Sequence, residues 1–173
     1  MKSPFYAIFM ACLLNLISLS LISAATAAPL IERVGDALTH PWGMDFLDDT
    51  NVVVTERGGK MYKINLADGT RQPITGLPHI EAKRQGGLLD VAITTPDSGT
   101  ATLFYCYSKP VNGGIATAID RAQLSSNALS NRQTIFLANN PSKDAIHFGC
   151  RLALDGNYIY ASLGERGARY DAQ

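Results

Sequence analysis

An excess of charge of either sign is missing from this 173-residue chain: 15 Lys and Arg offset 15 Asp and Glu, for a formal net charge of zero. Acids and bases are mixed along its length and no basic stripe forms, so nucleic acid is not an expected partner. Cysteine is scarce, and no metal-type spacing connects Cys106 with Cys150. No stretch holds apolar residues at helical spacing for three turns, which argues against a helical fold. A Gly-x-Ser-x-Gly elbow, a P-loop, a dinucleotide glycine fingerprint and a His-Glu-x-x-His helix are all absent. Their absence argues against α/β-hydrolase, nucleotide-dependent and zincin chemistry.

One long apolar run is present. Lys2 precedes it, it extends from Phe5 to Ile22, and Ala24-Ala25-Thr26-Ala27-Ala28 follows ahead of Pro29. That is the layout of a secretory signal peptide with cleavage after Ala27, which leaves residues 28–173 as the mature part. An uncleaved membrane anchor is the other reading of the run, and the alanine-rich end favours cleavage. After residue 28 no second run is long enough to span a bilayer. The mature protein is therefore expected in the periplasm or outside the cell, free of the membrane. An exported protein can oxidise Cys106 and Cys150. Read as residues alone, they are expected as two small buried hydrophobes rather than a disulfide.

What remains reads as β throughout. Asn51 to Glu56 is short and β-branched, Arg57-Gly58-Gly59 is a turn signal, and Lys60 to Asn65 follows as a second strand. Ala67-Asp68-Gly69 turns the chain again, and Thr70 to Thr75 pairs back. The pattern repeats with strands at Leu88 to Ile93, Ala101 to Ser108, Thr117 to Leu124 and Gln133 to Leu137, with a loop at Thr95 to Gly99. A third round starts at Arg151 to Leu154, turns at Asp155-Gly156-Asn157 and continues as Tyr158 to Ser162. Met44 to Leu47, Asp90 to Ile93 and Arg151 to Leu154 hold the same place in each round. A spacing on the order of 45 to 60 residues suits four-stranded antiparallel blades of a β-propeller. Three rounds leave strand edges unpaired. A β-sandwich is the structural alternative, but it does not explain why the glycine-rich segments recur at the start of rounds two and three.

Three side chains are candidates for chemistry. His147 lies in a loop just before a strand and is followed by Phe148-Gly149; an imidazole there can take a proton from a hydroxyl near neutral pH. Equally, a lone loop histidine can be an ordinary surface residue. Glu165 falls at the end of the next strand. An antiparallel pair brings the start of one strand near the end of the other, so Glu165 can reach His147 and fix its tautomer. The alternative is an exposed carboxylate paired with Arg166 or Arg151. Gln85 precedes Gly86-Gly87 and offers an amide that donates and accepts at once, which suits a polyol or a quinone carbonyl. A glycine turn leading into a strand is the plainer reading. His40-Pro41-Trp42-Gly43 reads as structural, with Trp42 as an anchoring aromatic.

Taken together, these segments resemble a family. His40-Pro41-Trp42-Gly43, Thr55 to Gly59, Gln85 to Val91, His147-Phe148-Gly149-x-Arg151-Leu152 and Ser162 to Gly167 look like the soluble, PQQ-dependent aldose sugar dehydrogenases of the quinoprotein glucose dehydrogenase family. The resemblance runs from about His40 to the end. It implies a six-bladed propeller, about three blades of which are present. It also implies pyrroloquinoline quinone over the central channel, Ca2+ holding the cofactor, and oxidation of the anomeric hydroxyl of an aldose to a lactone, with an external electron acceptor. On that pattern His147 matches the general base, Glu165 the acid that orients it, and Gln85 the amide that contacts cofactor and substrate. The protein then supplies position and a base, and the cofactor the redox chemistry.

The chain departs from the family in two ways. Cys150 stands where the family usually has a small residue, often Gly or Ser, and places an oxidisable group three residues from His147. The family's cofactor-clamping arginines and calcium ligands belong to later blades, beyond Gln173. Residues 28–173 alone are therefore expected neither to bind the quinone tightly nor to turn over. The rival reading is a non-enzymatic propeller of the same superfamily used as a binding module; joint retention of Gln85, His147 and Glu165 favours the enzyme. A calcium-dependent lactonase propeller would need a ring of Asn, Asp and Glu ligands that this half does not obviously supply.

Overall fold

The computed structural model describes residues 30–94 and 100–171. The expected signal peptide (1–27) and the loop at 95–99 lie outside the described residues. Residues 30–33 are exposed and carry no regular structure.

Valines and tight turns lay down the first sheet. β1 (Pro41–Phe46), β2 (Asn51–Glu56), β3 (Lys60–Asn65) and β4 (Arg71–Ile74) pair in sequence order, all antiparallel. The β1–β2 turn closes on Asp48, whose carboxylate accepts the Thr50 amide and hydroxyl, each at 2.8 Å. Alternation along β2 and β3 sends Val53 and Met61 to one face and Val52, Val54 and Ile64 to the other.

The second sheet repeats that order with longer strands: β5 (Leu88–Thr94), β6 (Ala101–Val111), β7 (Gly114–Ser125) and β8 (Ala128–Leu137). β6 continues past Ser108, where the sequence pattern ended it, because Pro110 costs no ladder bond there. β5 pairs β6 only as far as Tyr107. Opposite Pro110, Ile115 exchanges both of its backbone bonds with Ser142, at 2.9 and 3.1 Å. β9 (Gly149–Asp155) and β10 (Tyr158–Leu163) form a third, two-stranded sheet, and a short 3-10 helix follows at Arg169–Asp171. β1, β5 and β9 thus head successive sheets, as the three rounds predict. The fold is all-β, built on antiparallel four-stranded sheets. No helix among the described residues is long and apolar enough to cross a membrane.

The second sheet is buried on both faces. Leu88, Leu103, Tyr105 and Tyr107 pack with Val53, Met61 and Ile74 of the first sheet. Leu89, Cys106 and Ile119 pack with Phe148, Cys150 and Leu152 at the start of the third. Burying each large aliphatic side chain stabilises the fold by about 1.5–3 kcal/mol. Two carboxylates latch the sheets together at their first strands. Asp45 of β1 accepts the Ile93 amide of β5, and Asp90 of β5 accepts the Leu152 amide of β9, both at 2.7 Å. Asp90 is buried, and the Arg151 guanidinium donates to its other oxygen at 3.2 Å.

Two sequence expectations are corrected. Cys106 and Cys150 are not separate small hydrophobes but a disulfide, with Cα atoms 6.6 Å apart, joining β6 to β9. Both side chains lie in the apolar layer between the second and third sheets, whose packing brings them together. Trp42 does not anchor the core: it is 46 % exposed, and Met44 and Phe46 beside it on β1 are exposed as well.

Candidate functional site

Three segments meet beside the start of β9. The first is the turn before β5. Gly87 has φ of +152°, and a Cβ there would collide with the Arg57 carbonyl, so only glycine brings this turn against the first sheet. The turn carries Gln85, whose amide N–H donates to the Ala145 carbonyl at 3.0 Å. The Gln85 side-chain Oε1 in turn accepts the His147 amide at 2.7 Å. The two bonds clasp the 145–147 loop from one side.

The third segment clasps it from the other. β10 ends at Leu163, and Gly164 donates to the Phe148 carbonyl at 3.0 Å while Arg166 N–H donates to the His147 carbonyl at 3.4 Å. A Cβ at Gly164 would collide with the His147 carbonyl oxygen. Held this way, His147 adopts φ of +48°, a left-handed conformation uncommon outside glycine and favoured by surrounding bonds.

The result is a side-chain pair. His147 Nδ1 lies 2.5 Å from Glu165 Oε1. The hydrogen bond from His147 holds the Glu165 carboxyl below the ordinary glutamate value of 4.5. An ionised carboxylate has no proton to give, so Nδ1–H donates, and in the neutral imidazole Nε2 carries the lone pair. The Glu165 side chain is 15 % exposed and that of His147 49 %, so the carboxylate is tucked in while the ring faces solvent. In the neutral ring this arrangement can serve as an oriented base.

The sign of its pH dependence follows. Because the folded value of Glu165 is depressed, its contribution to stability is present above the unfolded value and lost as pH falls through the folded one. The difference in unfolding midpoint between the wild type and Glu165→Gln is expected to be full above about pH 5 and to shrink as pH drops below 4.5. A gap that stays constant from pH 7 to pH 3 would contradict the pairing.

All three candidate residues, Gln85, His147 and Glu165, therefore stand together. Glu165 does not pair with either arginine offered as its alternative partner. Arg151 sits on Asp90. Arg166 is buried, its guanidinium 3.5 Å above the Phe148 ring. Sequence reasoning gave Arg166 no part of its own. Its one signal is a charged residue inside a glycine-flanked turn directly after Glu165. Among the described residues no group of three or more His, Cys, Asp or Glu side chains could hold a metal ion.

Known proteins share this chain's sequence pattern and fold. Residues 38–173 match the Glucose / Sorbosone dehydrogenase family. The aldose sugar dehydrogenase YliI of Escherichia coli strain K12 is 33% identical over 159 residues, covering 89% of this chain and 43% of that protein. A solved glucose dehydrogenase superposes with a TM-score of 0.77 at 31% identity, covering 84% of this chain and 47% of that one. The PQQ-bound form of an aldose sugar dehydrogenase from Streptomyces coelicolor shares the fold at a TM-score of 0.69 and 21% identity, over 80% of this chain and 42% of that one. The chain thus spans less than half the length of each of these three. The match over most of its length, with the paired strands and the turns between them, places this chain in the Glucose / Sorbosone dehydrogenase family.

Proposed function

We propose that the protein carrying this chain oxidises the anomeric hydroxyl of an aldose to a lactone, with pyrroloquinoline quinone as hydride acceptor and His147 as general base. The observation that carries the proposal is the 2.5 Å bond from His147 Nδ1 to Glu165, which commits Nδ1 to the carboxylate and leaves Nε2 of the half-exposed ring for a hydroxyl proton. His147 Nε2 takes the proton of the sugar hydroxyl. Glu165, ionised, steadies the imidazolium that forms and keeps the ring from turning. Gln85 spends its Oε1 on the His147 amide and keeps its Nε2 free as a donor toward a quinone or sugar oxygen.

The residues present fit one edge of the cofactor: an exposed amide donor and an exposed imidazole lie on segments joined by two hydrogen bonds. Bound there, the quinone would accept the hydride from the anomeric carbon, so that the proton and the two electrons leave by separate routes. Calcium ligands and the remaining cofactor contacts are assigned beyond Gln173.

Residues 28–173 then form the N-terminal part of a six-bladed propeller, about three blades of it. Two apolar faces support this. Trp42, Met44 and Phe46 are exposed on β1, and Tyr158, Tyr160 and Leu163 on β10. Between β8 and β10 lies an apolar cleft lined by Ile135, Phe136, Ile159 and Leu163. Further sheets would cover all three surfaces. Export behind a signal peptide at 1–27 agrees with the disulfide, which persists in oxidising compartments.

The test is aldose-dependent dye reduction by the purified full-length protein, with and without added pyrroloquinoline quinone and calcium. Quinone-dependent turnover is expected from the full-length protein and none from residues 28–173. No quinone-dependent oxidation of any aldose by the full-length protein would sink the proposal.

A further inference from the structure

Arg166 is 5 % exposed, yet nothing in the chemistry above calls on it. Burial holds its guanidinium below the ordinary arginine value, opposed by the nearby Glu165 charge. A buried cation is costly unless it is well bonded, and this one is bonded only in part. Nη2 donates to the Ile115 carbonyl of β7 at 3.2 Å and to the Asp144 carbonyl at 3.0 Å. Nε and Nη1 are buried with no partner. Arg166 also has φ of +59°. A charged side chain kept under these terms needs a reason beyond filling space.

Its neighbours supply one. Residue 147 is hydrogen-bonded to residue 165, and residue 148 is stacked against residue 166. Phe148 is 2 % exposed, so the stack lies in the packed layer while the polar pair lies at the surface. One guanidinium therefore ties three things together: β7, the 144–148 loop through the Asp144 carbonyl and the Phe148 ring, and the turn that presents Glu165. We propose that Arg166 is a positioning residue, setting the distance and angle between His147 and Glu165 through its stack on Phe148 and its two carbonyl bonds. The assignment rests on the function proposed above for the catalytic readout alone; the structural readout is independent of it. Lysine does not replace it, because an ammonium lacks the planar face that stacks on the Phe148 ring.

The experiment uses full-length protein carrying Arg166→Lys and, separately, Phe148→Leu, which removes the ring but leaves the arginine. Two quantities are read: the downfield proton resonance of His147 Nδ1–H, and the kinetic constants for aldose-dependent dye reduction. The expected result is loss or broadening of the resonance in both variants. With it, kcat is expected to fall about tenfold to hundredfold, as for a displaced catalytic group, while KM changes little. Phe148→Leu decides the matter if Arg166→Lys does not fold. Wild-type resonance and wild-type kcat in a folded variant would overturn the proposal. A lost resonance in a protein whose wild type oxidises no aldose would uphold Arg166 as the positioning residue and remove the dehydrogenase assignment instead.

Discussion

Replacing His147 with alanine in the full-length protein is expected to remove about 3 kcal/mol or more of transition-state stabilisation, a loss of at least two orders of magnitude in kcat/KM. The size follows from what is deleted. On the proposed mechanism Nε2 takes a proton that water would otherwise have to accept, and the imidazolium would form beside the Glu165 carboxylate. Quinone affinity is expected to remain largely intact, because Gln85 bonds to the backbone amide of residue 147, which alanine retains. The left-handed backbone at this position adds a complication, since alanine tolerates φ of +48° poorly. Asparagine visits that region more readily, so His147→Asn separates lost chemistry from a displaced loop. Both variants should show the same deficit at saturating quinone. Activity within threefold of wild type in either would take His147 out of the mechanism.

Removing the Cys106–Cys150 link is expected to cost about 4 kcal/mol of stability, from the chain-entropy relation for a loop of this length. The two cysteines are 44 residues apart in sequence. That loop contains all of β7 and β8 and the segment carrying His147, so the unfolded chain regains much freedom once it is opened. Denaturant midpoints of the full-length protein with and without a dithiol measure the difference. Cys150 also has φ of +77°, where a Cβ is strained. The pair Cys106→Ala/Cys150→Gly should therefore be about 1 kcal/mol more stable than Cys106→Ala/Cys150→Ser. Equal midpoints in all three proteins, with dithiol or without, would mean that the link contributes nothing to stability.

The strands were legible where side chains alternate and turns are marked. Val52 to Val54 followed by Gly58-Gly59 leaves little choice, and Asp155-Gly156 between two β-rich runs is as clear. The first half of β8 was not legible. Ser130, Asn131 and Arg132 are polar because they lie exposed on an edge strand; Ser130 pairs with Gln123 of β7, and the ladder is interrupted at Asn131, where φ is +50°. The disulfide was out of reach for a different reason. Nothing in a cysteine's local sequence says which residue of another sheet will face it. The approach of Glu165 to His147 could be inferred because both flank one hairpin, β9–β10, and the hairpin brings its open ends together. Gln85 was named for its amide beside Gly86-Gly87, yet a glycine turn was the plainer reading, since its clasp on residues 145 and 147 bridges about 60 residues of chain, beyond any local rule. Arg166 was hidden by its charge: an arginine in a glycine turn is expected in water, and its burial depends on Phe148 and on carbonyls of two other segments.

The carboxylates at Asp45 and Asp90 give the array a direction of growth. Each lies on the first strand of a completed sheet and receives an amide from the first strand of the sheet that comes later in the chain. During synthesis from the N-terminus, the acceptor is therefore in place before its donor emerges. The incoming strand can dock by a charge-assisted bond before its own hairpin has formed. Assembly then runs like a ratchet, one sheet licensing the next, and Asp90→Asn weakens the step at which the strand leading from His147 is taken up.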